Sequence, residues 1–217
     1  ALAASYTTPA TNIWSFANIG GYVWCTGVNY TSFYDGTVTY ADRMYRASLT
    51  GNRFGTITAV TFSQPTISTK ASGESSFTTG RNAPYATCAA VQPIDNRLAV
   101  QALGAWGVAG AASDSTVVFS QPDNSYEFDE SDYVKLDEAD GERITAMAAW
   151  GDYLFVFKRT KVFVFYGNST DSTGGAVFNY RTHRGLDDGG EIFPGQVIVA
   201  TNGIYFVNKR GVWFTNG

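Results

Sequence analysis

Apolar and polar positions along the chain form short runs that are interrupted by tight, glycine-containing turns. Three segments share a pattern of an apolar strand, a turn and a second strand rich in aromatic residues: residues 13–24, 144–157 and 196–207. The turns between the paired runs are Gly20-Gly21, Gly151-Asp152 and Asn202-Gly203. Because Gly and Asn tolerate the positive φ values that two-residue hairpin turns require, each segment is predicted to be a β-hairpin.

Further strands are predicted beside these hairpins. Polar turns at 158–161 and 209–211 lead into apolar runs at residues 162–166 and 212–214. A weaker copy of the unit passes through Asp95-Asn96 into residues 97–100, with residues 115–120 as its partner strand. The turn positions near 96, 152 and 203 are about 50 residues apart, a spacing typical of propeller blades with three or four strands.

The pattern therefore predicts an all-β fold: a single β-propeller-like domain over residues 1–217, with about four or more blades of antiparallel strands. A β-sandwich is the structural alternative, because several short strands do not fix a topology. Residues 57–62 are predicted to form a strand and residues 68–80 a polar loop, and helices are expected to be few. Since the sequence starts without Met and stops in a strand-turn pattern, we expect an incomplete propeller from a longer chain.

Composition supports sheet over helix. Aromatic residues make up 15% of the chain and charged residues only 16%, a balance that suits half-buried pleated sheet. The sequence has no apolar run long enough to span a membrane. Residues 1–9 lack the basic and apolar regions of a signal peptide, so none is expected there. Cys25 and Cys88 match neither a zinc pattern nor a disulfide framework, so both are expected to be reduced and half-buried, with a single bridge between them as the alternative.

Negative charge is concentrated in one segment. Residues 123–142 hold nine acidic residues and one lysine, a net charge of −8, whereas the whole chain carries −4 and the remainder therefore +4. The segment is predicted to be an acidic inter-blade loop that is solvated, faces DNA or a partner's basic surface, or binds a cation. The cation hypothesis is weak because residues 137–142 lack the ligand alternation of a calcium loop. The candidate channel-facing or interface residues are Asp129, Glu130, Asp132, Asp137, Glu138 and Asp140.

Two basic turns occupy equivalent positions between the second and third strands of their units. They either cap apolar strands or line one rim as a docking surface, and their residues are Lys158, Arg159, Lys161, Lys209 and Arg210. The basic residues form no stripe with stacking aromatics, which argues against nucleic-acid binding as the main function.

The sequence contains few residues in patterns that support catalysis. The single histidine, His183, lies between Arg181 and Arg184, so its protonated form is disfavoured and a structural role is expected. The sequence contains no nucleophile elbow, phosphate-binding loop or paired-His motif. The nearest approach to an Asp-box turn, at 169–174, has its glycine one position late. We therefore expect no enzymatic activity, cofactor or metal, with a two-carboxylate propeller glycoside hydrolase as an alternative.

Several motifs resemble those of a bacteriophage family. Val117-Val118-Phe119-Ser120-Gln121-Pro122 with the later Asp132-Tyr133-Val134, the run from Asp140 through Ile144-Thr145-Ala146 to Leu154-Phe155-Val156-Phe157-Lys158, and the segment from Phe193-Pro194-Gly195 to Val212-Trp213-Phe214 are similar to signatures of β-propeller virion structural proteins. These are the tail-nozzle, head-to-tail connector and packaged-DNA stabilisation proteins of short-tailed phages. The resemblance covers residues 95–217, and its members are usually much longer than this chain.

The resemblance implies a non-enzymatic subunit that extends the portal-tail channel or stabilises packaged DNA. The expected partners are further copies in a homo-oligomeric ring such as a hexamer, other tail and portal proteins, and passing double-stranded DNA that is not specifically bound. The expected location is the virion, after assembly in the host cytoplasm. An alternative is a module at the tail tip that binds a receptor or glycan, for which the 13 Tyr and 5 Trp residues would suit sugar stacking.

Overall fold

The computed structural model describes residues 13–19, 22–28, 45–48, 66–71, 74–82, 88–101, 115–170, 176–183 and 192–217. These residues form an all-β structure of seventeen strands in five sheets, with one short 3-10 turn at Glu138–Asp140 and no α-helix. The predicted strand at 57–62 and residues 171–174 of the possible Asp-box turn lie outside the described residues.

Four antiparallel sheets follow one another along the chain. Sheet 1 contains β1 (Ile13–Ile19), β2 (Tyr22–Val28) and β3 (Tyr45–Ser48). Sheet 2 contains β6 (Ala89–Gln92), β7 (Arg97–Gln101), β8 (Thr116–Phe119) and β10 (Tyr133–Lys135). Sheet 3 contains β11 (Ile144–Trp150), β12 (Tyr153–Lys158), β13 (Val162–Thr170) and β14 (Ala176–Thr182). Sheet 4 contains β15 (Ile192–Ala200), β16 (Gly203–Asn208) and β17 (Gly211–Thr215).

The three predicted hairpins are confirmed as the pairs β1–β2, β11–β12 and β15–β16. The runs predicted after the basic turns are confirmed as β13 and β17, and the weaker copy is confirmed as the β7–β8 pair. Two of the predicted turns have the positive φ that their sequences indicate, with 52° at Asn96 and 57° at Gly151, whereas the Gly20-Gly21 turn lies outside the described residues.

A fifth sheet corrects the predicted polar loop at 68–80. It joins β4 (Thr66–Lys70) and β5 (Thr78–Asn82) antiparallel, and β9 (Glu127–Asp129) pairs with β4 in parallel. Within β4, Ile67, Ser68 and Thr69 are buried. The Ser/Thr-rich composition around β4 indicated a loop, and the pairing partner β9 lies about 60 positions away in the sequence. A strand forms nevertheless, since β-branched threonine fits a pleated surface.

Apolar layers fill the space between successive sheets. Trp24 of sheet 1 packs with Leu98 of sheet 2, and Phe119 of sheet 2 stacks on Phe178 of sheet 3 with ring centroids 3.9 Å apart. Phe157 of sheet 3 meets Phe206 of sheet 4 at 5.4 Å. Strands such as β12 are apolar on both faces because each face meets a different neighbouring sheet.

The first strands of the four sheets lie near one another. β1 contacts β6 and β15, and β11 contacts the same two strands. The fold is therefore all-β with several antiparallel sheets, as predicted, but the sheets are not closed into a propeller. The face of sheet 4 that points away from sheet 3 stays exposed, with Ile198 67% and Val212 72% accessible.

Candidate functional site

The acidic segment at 123–142 is not a single loop. It contains β9, β10 and the 3-10 turn. Near one end of sheet 2, the Asp123 amide donates to the Asn96 carbonyl oxygen at 3.1 Å. At the other end, the Leu136 amide donates to the Ser115 carbonyl oxygen at 2.9 Å. The six candidate acidic residues are thus divided by β10 into two groups: Asp129, Glu130 and Asp132 before it, and Asp137, Glu138 and Asp140 after it.

Asp132 is only 3% exposed and lies in a buried ion pair with Arg97. Its Oδ2 accepts hydrogen bonds from the Arg97 guanidinium at 2.6 Å and from Gln121 Nε2 at 2.8 Å. Arg97 also pairs with Asp95 and donates to the Ser120 carbonyl oxygen. Burial raises the pKa of Asp132 above its ordinary value, although Arg97 acts in the opposite direction. A side chain so enclosed presents no charge to a channel.

Asp129 is held by a base from the fifth sheet. Its Oδ2 lies 3.0 Å from Lys70 Nζ, and its Oδ1 accepts from the backbone amide and the hydroxyl of Ser131. Burial alone would raise the pKa of Asp129, but the hydrogen bonds from the Ser131 backbone and Lys70 outweigh it and lower that pKa. This carboxylate therefore fastens β9 to β4.

At the other end of sheet 2, a buried lysine organises the acidic turn. Lys158 is 0% exposed, and its Nζ donates to the carbonyl oxygens of Leu136 and Asp137 at 2.8 and 3.1 Å and to Asp140 Oδ1 at 2.6 Å. The hypothesis that Lys158 belongs to a docking turn is thus corrected, because its ammonium group is buried and donates to three acceptors inside the molecule. Lysine is rarely buried unless it is paired in this way.

Lys161 and Thr160 complete the attachment of this turn. Lys161 Nζ lies 2.8 Å from Asp137 Oδ2 and 3.3 Å from Asp140 Oδ2, and the hydrogen bond to Asp137 raises the Lys161 pKa. Thr160 donates through both its amide and its hydroxyl to the Glu142 carboxylate. Nearby, Lys135 pairs with Glu138 at 3.1 Å on the surface. Basic side chains therefore pair with Asp129, Asp132, Asp137, Glu138 and Asp140.

The two basic turns lie close together at one end of sheets 3 and 4. The Ile192 amide donates to the Arg159 carbonyl oxygen at 2.6 Å, and Ile192 pairs with Asn208, which precedes Lys209 and Arg210. Arg159, Lys209 and Arg210 are all exposed, and we call these three residues the basic rim. Of the predicted docking residues, these remain on the surface, whereas Lys161 is engaged by the acidic turn.

The sequence did not predict the exposed apolar face of sheet 4. Cross-strand pairs Ile198–Tyr205 and Tyr205–Phe214 place three of its side chains in one row, and the pair Val207–Val212 lies beside them. We call these five residues the outer face. A signal was present, because the runs 197–200 and 204–207 are apolar at every position and so predict two apolar faces.

His183 and Cys88 both lie in contact regions between neighbouring sheets. His183 is half-buried, and its Nε2 lies 3.1 Å from Thr215 Oγ1, which joins sheets 3 and 4. Cys88 is buried in the layer between sheets 2 and 3, whereas the Cys25 side chain lies outside the described part. Within the described ranges, no three His, Cys, Asp or Glu side chains are grouped to hold a metal ion. In the same residues, no helix is long and apolar enough to cross a membrane.

Comparison with models of known protein families and with curated protein sequences finds no match for this chain.

Proposed function

We propose that this chain is a non-enzymatic structural subunit of a bacteriophage tail or head-to-tail connector, and that its sheets are blades of a propeller-type domain. The motifs between residues 95 and 217 resemble those of virion structural proteins, and the observed hairpins lie at the positions of those motifs. The mutual approach of the first strands of all four sheets supports the blade arrangement.

The observation that carries the proposal is the way in which charge and apolar surface are distributed. Buried layers join the four sheets in chain order, and ion pairs fasten the acidic segment to the sheets at both of its ends. Such a molecule is a stiff building block. The carboxylates of the acidic segment and their lysine and arginine partners hold strands and turns in place.

Passage of DNA without capture also fits this charge distribution. Binding to DNA is driven by cationic side chains that release phosphate counterions. In this chain Lys70, Arg97, Lys158 and Lys161 are paired with carboxylates. The exposed basic residues of the described part are the basic rim together with Lys135, Arg143 and Arg181, which lie on other strands and turns and form no single phosphate-binding surface. We therefore propose that DNA passes the subunit without specific binding.

Assembly into a homo-oligomeric ring, such as a hexamer, would use surfaces that are exposed on the subunit. The outer face of sheet 4 and the basic rim are two exposed surfaces of the described residues. Contacts between different surfaces of neighbouring copies close into a ring when the rotation between copies divides a full turn. Other tail and portal proteins would then bind to the ends of this ring, in the virion.

Imaging of purified particles tests this proposal. A particle carrying a tagged copy of the chain is reconstructed, and the tag density is located with and without a tag-specific antibody fragment. A closed ring of subunits on the channel axis is expected. Density only at the tips of receptor-binding fibres, or no copy in the particle, contradicts the proposal. Particles with an untagged chain provide the matched control for antibody density.

A receptor- or glycan-binding module is the second candidate, and one cluster favours it. Asn202 Nδ2 donates to the Tyr205 hydroxyl at 3.0 Å, and the Tyr205 and Phe214 rings lie 4.9 Å apart on the surface. Exposed rings beside an amide can stack on a sugar and hydrogen-bond to it. A glycan array should then show binding that Tyr205→Ala abolishes and that Tyr166→Ala, a change at an exposed tyrosine of sheet 3, leaves intact.

A further inference from the structure

The turn between β15 and β16 contains an asparagine that is followed by a glycine. Thr201 and Asn202 form this two-residue turn, and Ala200 pairs with Gly203 across it. Asn202 is exposed to solvent. Asparagine before glycine is the dipeptide most prone to deamidation, because glycine has no side chain to hinder attack by its own nitrogen on the neighbouring carboxamide. The turn is therefore a candidate site of chemical modification.

The fold itself requires the glycine of this pair. Gly203 has a φ of 148°, a conformation that other residues rarely adopt. A Cβ at this position would lie 2.5 Å from the Thr215 carbonyl oxygen and 2.7 Å from the Phe214 ring. A labile Asn-Gly pair can therefore be removed here only by a change at position 202, unless sheet 4 is strained.

A hydrogen bond to a neighbouring strand holds the reactive side chain. Asn202 Nδ2 donates to the Tyr205 hydroxyl at 3.0 Å, and Nδ2 is the nitrogen that deamidation removes. An amide N–H is a stronger donor than the amine N–H of the tetrahedral intermediate that forms during attack. The hydrogen bond thus stabilises the reactant more than the transition state, and such an interaction slows a reaction.

A second restraint acts on the attacking nitrogen. In a two-residue hairpin the pair beside the turn exchanges main-chain hydrogen bonds, which assigns the Gly203 N–H to the Ala200 carbonyl oxygen. Attack therefore requires this end of the hairpin to open, a local motion that costs less than unfolding of the whole chain. The folded protein should deamidate at Asn202, but more slowly than the unfolded chain does.

We propose that Asn202 is a site of spontaneous deamidation and that the Tyr205 hydroxyl restrains the reaction by holding the carboxamide. The Gly203 nitrogen loses its proton to water or hydroxide and bonds to Asn202 Cγ. The Cγ–Nδ2 bond then breaks, and Nδ2 takes a proton from water and leaves as ammonia, which produces a cyclic succinimide. Water opens this ring, so the net change is loss of ammonia and gain of water, without oxidation or reduction. This inference does not depend on the assignment to a virion.

The two products of ring opening affect sheet 4 differently. Opening at Cγ gives aspartate, whose carboxylate can accept a hydrogen bond from the Tyr205 hydroxyl, so the contact survives and a negative charge is added beside the outer face. Opening at the main-chain carbonyl gives isoaspartate, which routes the backbone through Cγ and lengthens the turn. Because the turn sets the register of its strands, the longer turn should disturb the pairing of Ala200 with Gly203.

The test incubates the full chain at mildly alkaline pH, both folded and unfolded in urea, and follows each asparagine by peptide mass spectrometry. Electron-transfer fragmentation separates aspartate from isoaspartate. We expect Asn202 to deamidate in both samples, and more slowly in the folded one. Asn96 is exposed but precedes an arginine, and Asn208 is buried, so both should remain unmodified in the folded chain during the same incubation.

Tyr205→Phe keeps the aromatic ring and removes the hydroxyl. In the folded chain it should speed the deamidation of Asn202 by about fivefold, the factor that corresponds to one ordinary hydrogen bond. The rate in urea should not change. Neither should the rate at Asn216, which also precedes a glycine and serves as the comparison within the same sample. Asn202→Asp, which adds the charge alone, should keep the β15–β16 amides protected from hydrogen exchange, whereas the isoaspartate form should lose this protection.

Each part of the proposal has an outcome that overturns it. An intact Asn202 in the folded chain, after a period in which the chain in urea has reacted, shows that the turn is not a modification site. An equal or slower rate in folded Tyr205→Phe shows that the hydroxyl imposes no restraint. If Tyr205→Phe does not fold, the unaltered chain decides, because equal Asn202 rates with and without urea contradict a restraint by the folded structure.

Discussion

The Lys158 ammonium lies 2.6 Å from Asp140 Oδ1 and is completely buried beneath the turn that carries this carboxylate. Lys158 ends β12, whereas Asp140 belongs to the connection between β10 and β11, so the pair fastens sheet 2 to sheet 3. Two backbone carbonyl oxygens of the same connection accept the remaining protons of the ammonium group. The acidic turn is therefore shaped around one internal cation.

Replacing Lys158 should strongly destabilise the folded state. Lys158→Met keeps the length of the side chain but leaves two carbonyl oxygens and a carboxylate without their donor, so the free energy of unfolding should fall by about 3–5 kcal/mol. Urea unfolding followed by tryptophan fluorescence measures the change. An exposed basic position supplies the control, since Arg210→Met should change stability by less than about 0.5 kcal/mol. Equal losses in the two variants would show that the buried ammonium has no special role.

Opposite pKa shifts predict opposite changes in acid sensitivity. The Asp140 pKa is lowered: burial would raise it, but the hydrogen bond from Lys158 outweighs that effect. Its stabilising contribution is thus complete above its ordinary value of 3.8 and is lost as the pH falls through the lower folded-state pKa. The Asp132 pKa is raised, so this group binds a proton more readily in the folded state and makes stability fall as pH rises above 3.8.

Unfolding free energies measured at pH values below and above 3.8 separate these two effects. Asp140→Asn should lose less stability on acidification below 3.8 than the unaltered chain does. Asp132→Asn should lose more stability than the unaltered chain on acidification toward 3.8, because the opposing contribution has been removed. Thr201→Ala, at an exposed turn and without a titratable group, is the control and should follow the unaltered profile. If the Asp140→Asn and Asp132→Asn variants shift in the same direction, the assignment of these pKa directions is wrong.

The hairpins were predictable because the information for them is local. Gly151-Asp152 and Asn202-Gly203 lie between apolar runs, and the turn chemistry alone sets the register of the flanking strands. The β4–β9 pair could not be predicted in this way, since it joins a Ser/Thr-rich segment to residues far along the chain. Local composition indicated a loop, and only burial against sheets 1 and 2 makes that segment a strand.

The candidate site was predictable as a concentration of charge but not as an arrangement. The sequence shows the acidic residues at 123–142, yet their partners Lys70, Arg97 and Lys158 come from three different sheets. A lysine after an apolar strand usually extends its ammonium into water, so nothing local marks Lys158 as buried. Pairing across sheets is a property of the packed fold: it buries the Arg97–Asp132 pair and the Lys158 ammonium, whereas Asp137 and Glu138 form ion pairs at the surface.

The contrast between the packed and open faces of neighbouring sheets can be measured with two phenylalanines. Phe157 is fully buried between sheets 3 and 4 against Phe206, so Phe157→Ala should lower the free energy of unfolding by about 3–5 kcal/mol. Phe214 belongs to the exposed outer face, and Phe214→Ala should lower it by less than about 1 kcal/mol. Chemical denaturation of both variants provides the comparison. A large loss at Phe214 would mean that the outer face already supports the fold of the isolated chain.

Two glycines in equivalent hairpin turns should respond very differently to a methyl group. Gly203 has a φ of 148°, and a Cβ there would lie 2.5 Å from the Thr215 carbonyl oxygen. Because backbone strain and a clash with the main chain combine, Gly203→Ala should lower the free energy of unfolding by about 2–4 kcal/mol. Gly151 has a φ of 57° and no atom within 4 Å of the added Cβ, so Gly151→Ala should lower it by about 1 kcal/mol. Thermal unfolding of the two variants checks this order of stability loss, and an equal or greater loss for Gly151→Ala would refute it.

Hydrogen exchange gives a second measurement of the same contrast. The added methyl group at Gly203 would clash with β17, so Gly203→Ala should also weaken the protection of the β16–β17 amides from hydrogen exchange. Gly151→Ala should leave that protection unchanged.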